Sequence, residues 1–291
     1  MDRIEFGELQ IGETARAHLN DVCDTNWASM GPKVRAFEKG WSELFGYSDS
    51  VAVSSGTDAC VNACLALYDI TDASRGDEVI VPALSFIATS NAVRVAGLTP
   101  VFVDVEKETL NIDPSKIEAA ITDKTRALMV VHTMGRPCDM TTIMEIAKKH
   151  NLKVIEDACE AHGSIHKMKR VGLFGDMTCF SFYIAHLVCC GEGGMVSTND
   201  EHIADVLRST RSHGRPFGSI YFDHQRTGIN SKMNDLEASI GLEGIENFWD
   251  TFNTRKDTMY RFRFACVGFD DVAWFSEEDA RDFNCPHGFS I

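Results

Sequence analysis

The residue types most able to do chemistry stand together at 180–200, FSFYIAHLVCCGEGGMVSTND. FSF reads as the end of an apolar strand, GEGG as a flexible turn and MVST as the next strand. His186 lies between them, and no lysine occurs anywhere in 177–200. An imidazole exchanges a proton near neutral pH, which suits general acid–base work. The pattern suggests a site at the end of a buried strand. Taken alone, His186 reads either as that catalyst or as a packed core histidine.

Such a side chain needs a scaffold. From residue 51 to about 210, apolar runs alternate with helical stretches, and the runs include VAV, VIVP, PVFVDV, RALMVV, KVIED and FSF. They are continuously apolar, as in strands covered on both faces. The expected fold class is therefore α/β with a mainly parallel sheet. Ligands in such sheets bind at the carboxyl ends of the strands. The positions to inspect are 54–57, 85–86, 132, 156–157 and 181–186. Upstream, residues 8–47 read as two helices broken at WASMGPKV, the second with Val34, Phe37, Trp41 and Leu44 on one face. Beyond 200, a helix (EHIADVLRSTRSHG) and a polar stretch lead to one long helix, expected to run from NDLEASIG through MYRFRFAC.

Each strand end carries a chemical reading beside a structural one. The turn SSGT (54–57) sets small residues at a helix N-terminus, where a phosphate could sit; it also reads as a tight turn without a ligand. Glu156 and Asp157 close KVIED, where a carboxylate could hold a proton on a ring nitrogen or cap a helix. Phe86 could stack on a flat ligand or pack in the core. Ser181 could add a hydroxyl to the phosphate or bond the backbone. Together these are the parts needed to hold pyridoxal phosphate.

The 291 residues suffice for a large domain and a small one, and 44% hydrophobic residues supply a core. A net charge of −15 argues against a nucleic-acid or acidic-membrane surface, while allowing a local basic pocket. No apolar run is long enough to span a bilayer, and MDRIEFGELQ lacks a signal-peptide pattern. A soluble, cytoplasmic protein is expected. The ten cysteines then read as reduced thiols. No CxxC pair occurs, so they are expected to be small buried hydrophobes with no metal centre.

Motifs spread along the chain carry a resemblance: GPKVRAFEKGW, VAVSSGTDA, GDEVIVPALSFIATSNAV, PVFVDVEKETLNID, VVHTMGRPCDM, VIEDACEAHG, FSFYIAHLVCCGEGGMVST and GINSKMNDLEASIG. From about residue 6 to 248 the sequence resembles the DegT/DnrJ/EryC1/StrS family of nucleotide-sugar aminotransferases. The resemblance implies the type I, aspartate-aminotransferase fold. It implies a pyridoxal-phosphate-binding large domain at 1–248 and the start of a small C-terminal domain at 249–291. Family members continue well past that point, so a truncated chain is expected, with a long helix and an unfinished sheet at its end. The implied cofactor contacts are Gly56, Thr57 and Ser181 at the phosphate, Phe86 on the pyridine ring and Asp157 at the ring nitrogen. Glu160 stands near the ring hydroxyl, where the family usually has glutamine. Asn230 is implied to reach across a homodimer interface to the partner's cofactor phosphate, giving shared active sites.

Aminotransferases of this family carry a cofactor-bonding lysine where His186 stands. Its 4-keto-6-deoxysugar 3-dehydratases replace that lysine with histidine and read FYPAH followed by GEGG. Tyr183, Ala185 and His186 match, while Ile184 replaces the proline and Leu187 follows where a second histidine is usual. Residues 212–227 contain no cysteine, so the resemblance is to the dehydratase without an iron–sulfur cluster. The implied chemistry uses glutamate as amino donor to make pyridoxamine phosphate, whose amine condenses with a nucleotide-linked 4-keto-6-deoxy sugar. His186 then removes a proton and the C3 hydroxyl leaves. A transaminase making an amino sugar, for example through Lys232, is an alternative. So is a non-catalytic relative that binds the cofactor or a sugar nucleotide. His213, Arg215 and Tyr221 are candidates for substrate contact.

Overall fold

The computed structural model describes residues 7, 9–268 and 282–288. In chain order its elements are α1 (Glu13–Thr25), α2 (Pro32–Phe45), β1 (Asp49–Val53), α3 (Gly56–Ile70), β2 (Glu78–Pro82), α4 (Ala88–Val95) and β3 (Thr99–Val103). Then come α5 (Pro114–Ile117), β4 (Thr125–Val131), α6 (Met140–His150), β5 (Lys153–Asp157), β6 (Ile165–His166), β7 (Lys169–Arg170), β8 (Met177–Ser181) and β9 (Gly194–Thr198). Helices α7 (Glu201–Thr210), α8 (Asp235–Glu246) and α9 (Phe248–Ala265) follow.

Seven strands form one sheet in the order β1-β9-β8-β5-β4-β2-β3. All neighbours are parallel except those of β9, which runs antiparallel to β1 and β8. The connection from β8 to β9 contains no helix to make a crossover, and β9 runs back beside β8. The mainly parallel α/β sheet expected from the apolar runs is therefore present.

The pleat sends alternate residues to opposite faces. Val51, Val53, Ile155, Met177, Cys179 and Val196 pack with α3 and α7. Ala52, Phe180 and Met195 pack with α2 and α8, and Leu128, Val130 and Val154 pack with α6. Helix α2 is capped from afar. The buried Asp235 carboxylate accepts hydrogen bonds from the amides of Gly31, Lys33 and Val34 at 2.8, 3.1 and 3.0 Å. These are donors that a helix start leaves without intrahelical acceptors.

The single long helix expected after residue 234 is two helices. Asn247, at φ −93° and ψ 7°, separates α8 from α9. The break lets Phe248 and Phe252 enter the core, where both are fully buried. Residues 269–281 and 289–291, where the resemblance implies the start of a small-domain sheet, lie outside the described residues.

Neighbouring carboxylates at the end of β5 also part company. Glu156 faces the α6 side and is fully buried. Its oxygens accept from the amides of Gly172, Phe174 and Gly175 at 2.7, 2.9 and 2.6 Å. His132 Nδ1 accepts from the Cys138 amide at 3.1 Å, which puts the ring proton on Nε2, 3.2 Å from Glu156 Oε2. Glu156 is thus the acceptor that pins the loop before β8. Glu156→Ala strands these buried donors and is expected to lower unfolding stability by at least about 3 kcal/mol, read by urea denaturation. A midpoint equal to the parent's would show that water replaces the carboxylate.

Candidate active site

Three strand ends converge on the α3 side of the sheet. Ser55 caps α3, its Oγ accepting from the Asp58 amide at 3.0 Å. The amides of Gly56 and Thr57 open the helix, where no intrahelical acceptor exists. A Cβ on Gly56 would lie 2.5 Å from Ser181 Cβ, and one on Gly194 would lie 2.2 Å from the Ser55 carbonyl oxygen. Both glycines are therefore required by close approach. The turn, β8 and the start of β9 make a narrow cradle with amide hydrogens and the Ser181 hydroxyl at its rim.

Asp157 lies on the same side and is 6% exposed. Its Oδ2 accepts from Thr89 Oγ at 2.9 Å, and Cys60 Sγ is 3.8 Å from that oxygen. The Cys159 amide donates to Oδ1 at 3.3 Å. Phe86 is not core: it is 75% exposed, ahead of α4. A carboxylate held this firmly can fix the proton of a ring nitrogen, and an exposed aromatic face can stack on that ring.

His186 sits in the turn after β8, its amide donating to the Tyr183 carbonyl at 2.9 Å. Arg255 on α9 grips this turn, donating to the carbonyls of Ala185 and His186 at 2.9 and 3.1 Å. The His186 ring stacks on His287, with centroids 5.1 Å apart, and meets His162 at 5.7 Å on another side. His186 Nδ1 is buried without a hydrogen-bond partner. Burial, then the neighbouring His287 and Arg255, push the His186 pKa down to about 3. Burial and Arg255 push His287 down to about 4. His162, fully buried against Trp41, Phe180 and Phe182, is also held well below the usual value, chiefly by burial.

Glu160 Oε2 accepts from the Met134 amide at 2.6 Å, while its Oε1 lies 3.7 Å from His287 Nε2. That separation is long for an ion pair, and burial and Arg255 rather than Glu160 set the His287 pKa. Burial raises the Glu160 carboxyl pKa, and the charge of Asp157 raises it further. The segment carrying His287 is stitched down by the Phe283–Ile165 bridge and by the Cys285 amide, which donates to Gly135 O at 3.0 Å.

Gly56, Thr57, Ser181 and Asp157 are thus brought to one end of the sheet, with Phe86 exposed ahead of α4. Asn230 lies on the segment whose next residue, Ser231, accepts from the Ser54 amide of the cradle turn at 2.9 Å. It is exposed, and its side-chain oxygen accepts from Lys232. Burial first, then Arg211 and Arg215, lower the Lys232 pKa. Tyr221 is 73% exposed, in the same surface segment as His213 and Arg215. Sequence reasoning missed Thr89, Arg255 and His287 as parts of the site. Thr89 was legible as a helix-start hydroxyl near a strand end, whereas nothing local marks Arg255 or His287. All ten cysteines are unpaired. No described helix is long and apolar enough to cross a membrane.

A model of the DegT/DnrJ/EryC1/StrS aminotransferase family matches residues 9–280. The GDP-perosamine synthase of Escherichia coli O157:H7 is 43% identical over 242 residues, covering 83% of this chain and 65% of the relative. The GDP-perosamine synthase of Caulobacter vibrioides is 38% identical over 282 residues, covering 97% of this chain and 71% of the relative. The chain thus spans about two thirds of the length of these relatives. Among solved structures, an aminotransferase from Psychrobacter cryohalolentis superposes with a TM-score of 0.87 at 32% identity, covering 96% of this chain and 74% of that one. A mutant of GDP-4-keto-6-deoxymannose-3-dehydratase with bound GDP-perosamine gives 0.86 at 27% identity, covering 96% and 77%. The fold is that of the pyridoxal-phosphate-dependent aminotransferases. On the length of the match and the identity to its relatives, the chain belongs to the DegT/DnrJ/EryC1/StrS aminotransferase family, whose members use pyridoxal phosphate.

Proposed function

We propose that the protein removes the C3 hydroxyl of a nucleotide-linked 4-keto-6-deoxy sugar, with His186 as the base. The observation that carries this reading is a largely buried imidazole, with an unpartnered nitrogen, where the family's aminotransferases have lysine. Imidazole cannot make the covalent bond to the cofactor that lysine makes, but it can take a proton.

The residues fit a phosphorylated pyridine. Gly56 leaves room at the cradle that a Cβ would fill. The Gly56 and Thr57 amides and the Ser181 hydroxyl would bind the phosphate. Asp157, oriented by Thr89, would hold the proton at the ring nitrogen, and Phe86 would cover the ring. Glu160 would stand near the ring hydroxyl. When bound, the cofactor supplies an amine for the sugar ketone and a ring that accepts an electron pair. His186, uncharged at neutral pH, would accept the proton that is lost and would return it to the departing C3 hydroxyl, which leaves as water. Arg255 fixes the backbone of its turn, and His287 stacks on its ring. Glutamate as amino donor, a cytoplasmic location and a homodimer with Asn230 of one protomer reaching its partner's site belong to the same reading. So does a division into a large domain at 1–248 and the start of a small one at 249–291.

Amino transfer is the second reading. It is favoured by 38% and 43% identity to GDP-perosamine synthases and by the lowered pKa of Lys232, which makes that amine a better nucleophile. Borohydride separates the two. Reduction of the cofactor-loaded protein is expected to leave no covalent label, and His186→Lys is expected to gain one. With glutamate and a GDP-linked 4-keto-6-deoxy sugar, the expected product is a deoxygenated keto sugar. A labelled parent chain or an amino-sugar product would overturn the dehydratase reading. His186→Asn is expected to retain cofactor while turnover falls by about 10²–10⁴-fold; undiminished turnover would remove His186 from the chemistry.

The buried imidazoles also make stability depend on pH. Unfolded histidines take up protons near 6.5, whereas folded His186 and His287 resist protonation down to about 3 and about 4. Between those limits the unfolded state binds more protons, so stability falls as pH drops from 6.5. His186→Asn is expected to flatten the slope of unfolding free energy against pH between 6.5 and 4, measured by urea titration. An unchanged slope would mean the ring is solvated in the folded protein.

A further inference from the structure

We propose that Cys60, Asp157 and Cys159 form a binding site for a soft divalent cation, such as zinc or cadmium, and that this cation and the cofactor exclude one another. The two sulfurs and a carboxylate oxygen of Asp157 all lie within 4.8 Å of one another. Cys60 Sγ is 3.8 Å from Asp157 Oδ2. Zinc binds sulfur at about 2.3 Å and carboxylate oxygen at about 2.0–2.2 Å. Ligand atoms around a tetrahedral ion are then roughly 3.5–3.8 Å apart. Small side-chain rotations bring these three groups to that spacing.

The scaffold makes the cluster a built one. Cys60 projects from α3, Asp157 is the last residue of β5, and Cys159 follows two positions later. Asp157 is fixed through Oδ2 by Thr89 and through Oδ1 by the Cys159 amide. Cys60 and Asp157 are buried, while Cys159 is partly exposed and gives the ion a way in. Thiolate ligands favour soft cations over magnesium or calcium, which take oxygen donors. Three protein ligands leave a fourth tetrahedral position open to water. On binding, two S–H bonds give way to two sulfur–metal bonds and two protons pass to solvent, with no change of oxidation state. Two thiolates and one carboxylate against a divalent ion leave a net charge of −1.

A cation held here occupies the carboxylate that would otherwise face a protonated ring nitrogen. This exclusion rests on the role proposed for Asp157; the cation site itself does not. Spacing rules overlook the cluster because Cys60 and Cys159 come from distant segments that only the fold unites.

The test starts with the whole chain freed of cofactor and metals, then dialysed against cadmium. Cys60→Ala and Cys159→Ala are each expected to hold one cadmium fewer than the parent and to lose ultraviolet thiolate–cadmium absorbance. Cys23→Ala is expected to lower neither signal at this site. Circular dichroism confirms the fold, and the partly exposed Cys159 gives a test even if Cys60→Ala misfolds. Equal cadmium content in the parent and Cys159→Ala would overturn the site. Cadmium is then added to pyridoxal-phosphate-loaded protein. Release of cofactor from the parent but not from Cys159→Ala supports exclusion, and equal retention overturns it. If Asp157→Asn loses cadmium yet binds pyridoxal phosphate like the parent, the cation site stands and the proposed cofactor role of Asp157 fails.

Discussion

The two-residue period of β5 is the constraint on which the rest of the site depends. It sends adjacent carboxylates, Glu156 and Asp157, to opposite faces of a buried strand. Either acid would be costly there without donors. Glu156 is satisfied by three amides of the loop leading into β8, together with His132. Those bonds tie that loop to β5 and so hold β8 alongside it. Strand β8 in turn carries Ser181 to the cradle and delivers the chain into the His186 turn. Asp157, on the other face, accepts hydroxyl, thiol and amide donors and is left facing the α3 side. One acid builds the frame and its neighbour faces the candidate site.

The surroundings of His186 extend this logic to an uncharged group. A buried imidazolium would need a counter-charge, and among the described residues none of its close neighbours supplies one. His162 and His287 are aromatic rings whose own protonation is suppressed, and Arg255 adds positive charge nearby. Each influence favours a neutral ring at physiological pH. Arg255 meanwhile spends its donors on the Ala185 and His186 carbonyls, so it fixes the backbone without pairing with the ring. Glu160, beside His287, is engaged by the Met134 amide and is itself biased toward its neutral form by burial.

Local sequence carried the groups that lie at strand ends, because a parallel sheet gathers those ends on one edge. SSGT, Phe86, Asp157, Ser181 and His186 were legible for that reason. The division of labour between Glu156 and Asp157 was not, because KVIED is apolar up to its acids and gives no sign of which face each enters. Arg255 and His287 come from α9 and from the segment at 282–288, and their proximity to His186 is a product of tertiary packing. The break at Asn247 was missed for a related reason. No proline or glycine marks it, and the gain comes from burying Phe248 and Phe252 elsewhere in the molecule. The cluster of Cys60, Asp157 and Cys159 has the same origin in long-range convergence.

Position 186 also bears on whether the histidine is a damaged lysine or a settled feature. A lysine there would bring a flexible ammonium close to the Arg255 guanidinium, with no free carboxylate among the described residues beside it to offset the repulsion. A flat neutral ring instead stacks on His287 and meets His162, contacts that a lysine side chain would not make. The pocket thus complements imidazole in shape and in charge. A simple loss of the cofactor-bonding residue would require no such complement, since an apolar side chain would fill the space at lower cost. Stacked rings, a gripped backbone and the absence of a counter-charge together describe a pocket shaped around a neutral imidazole.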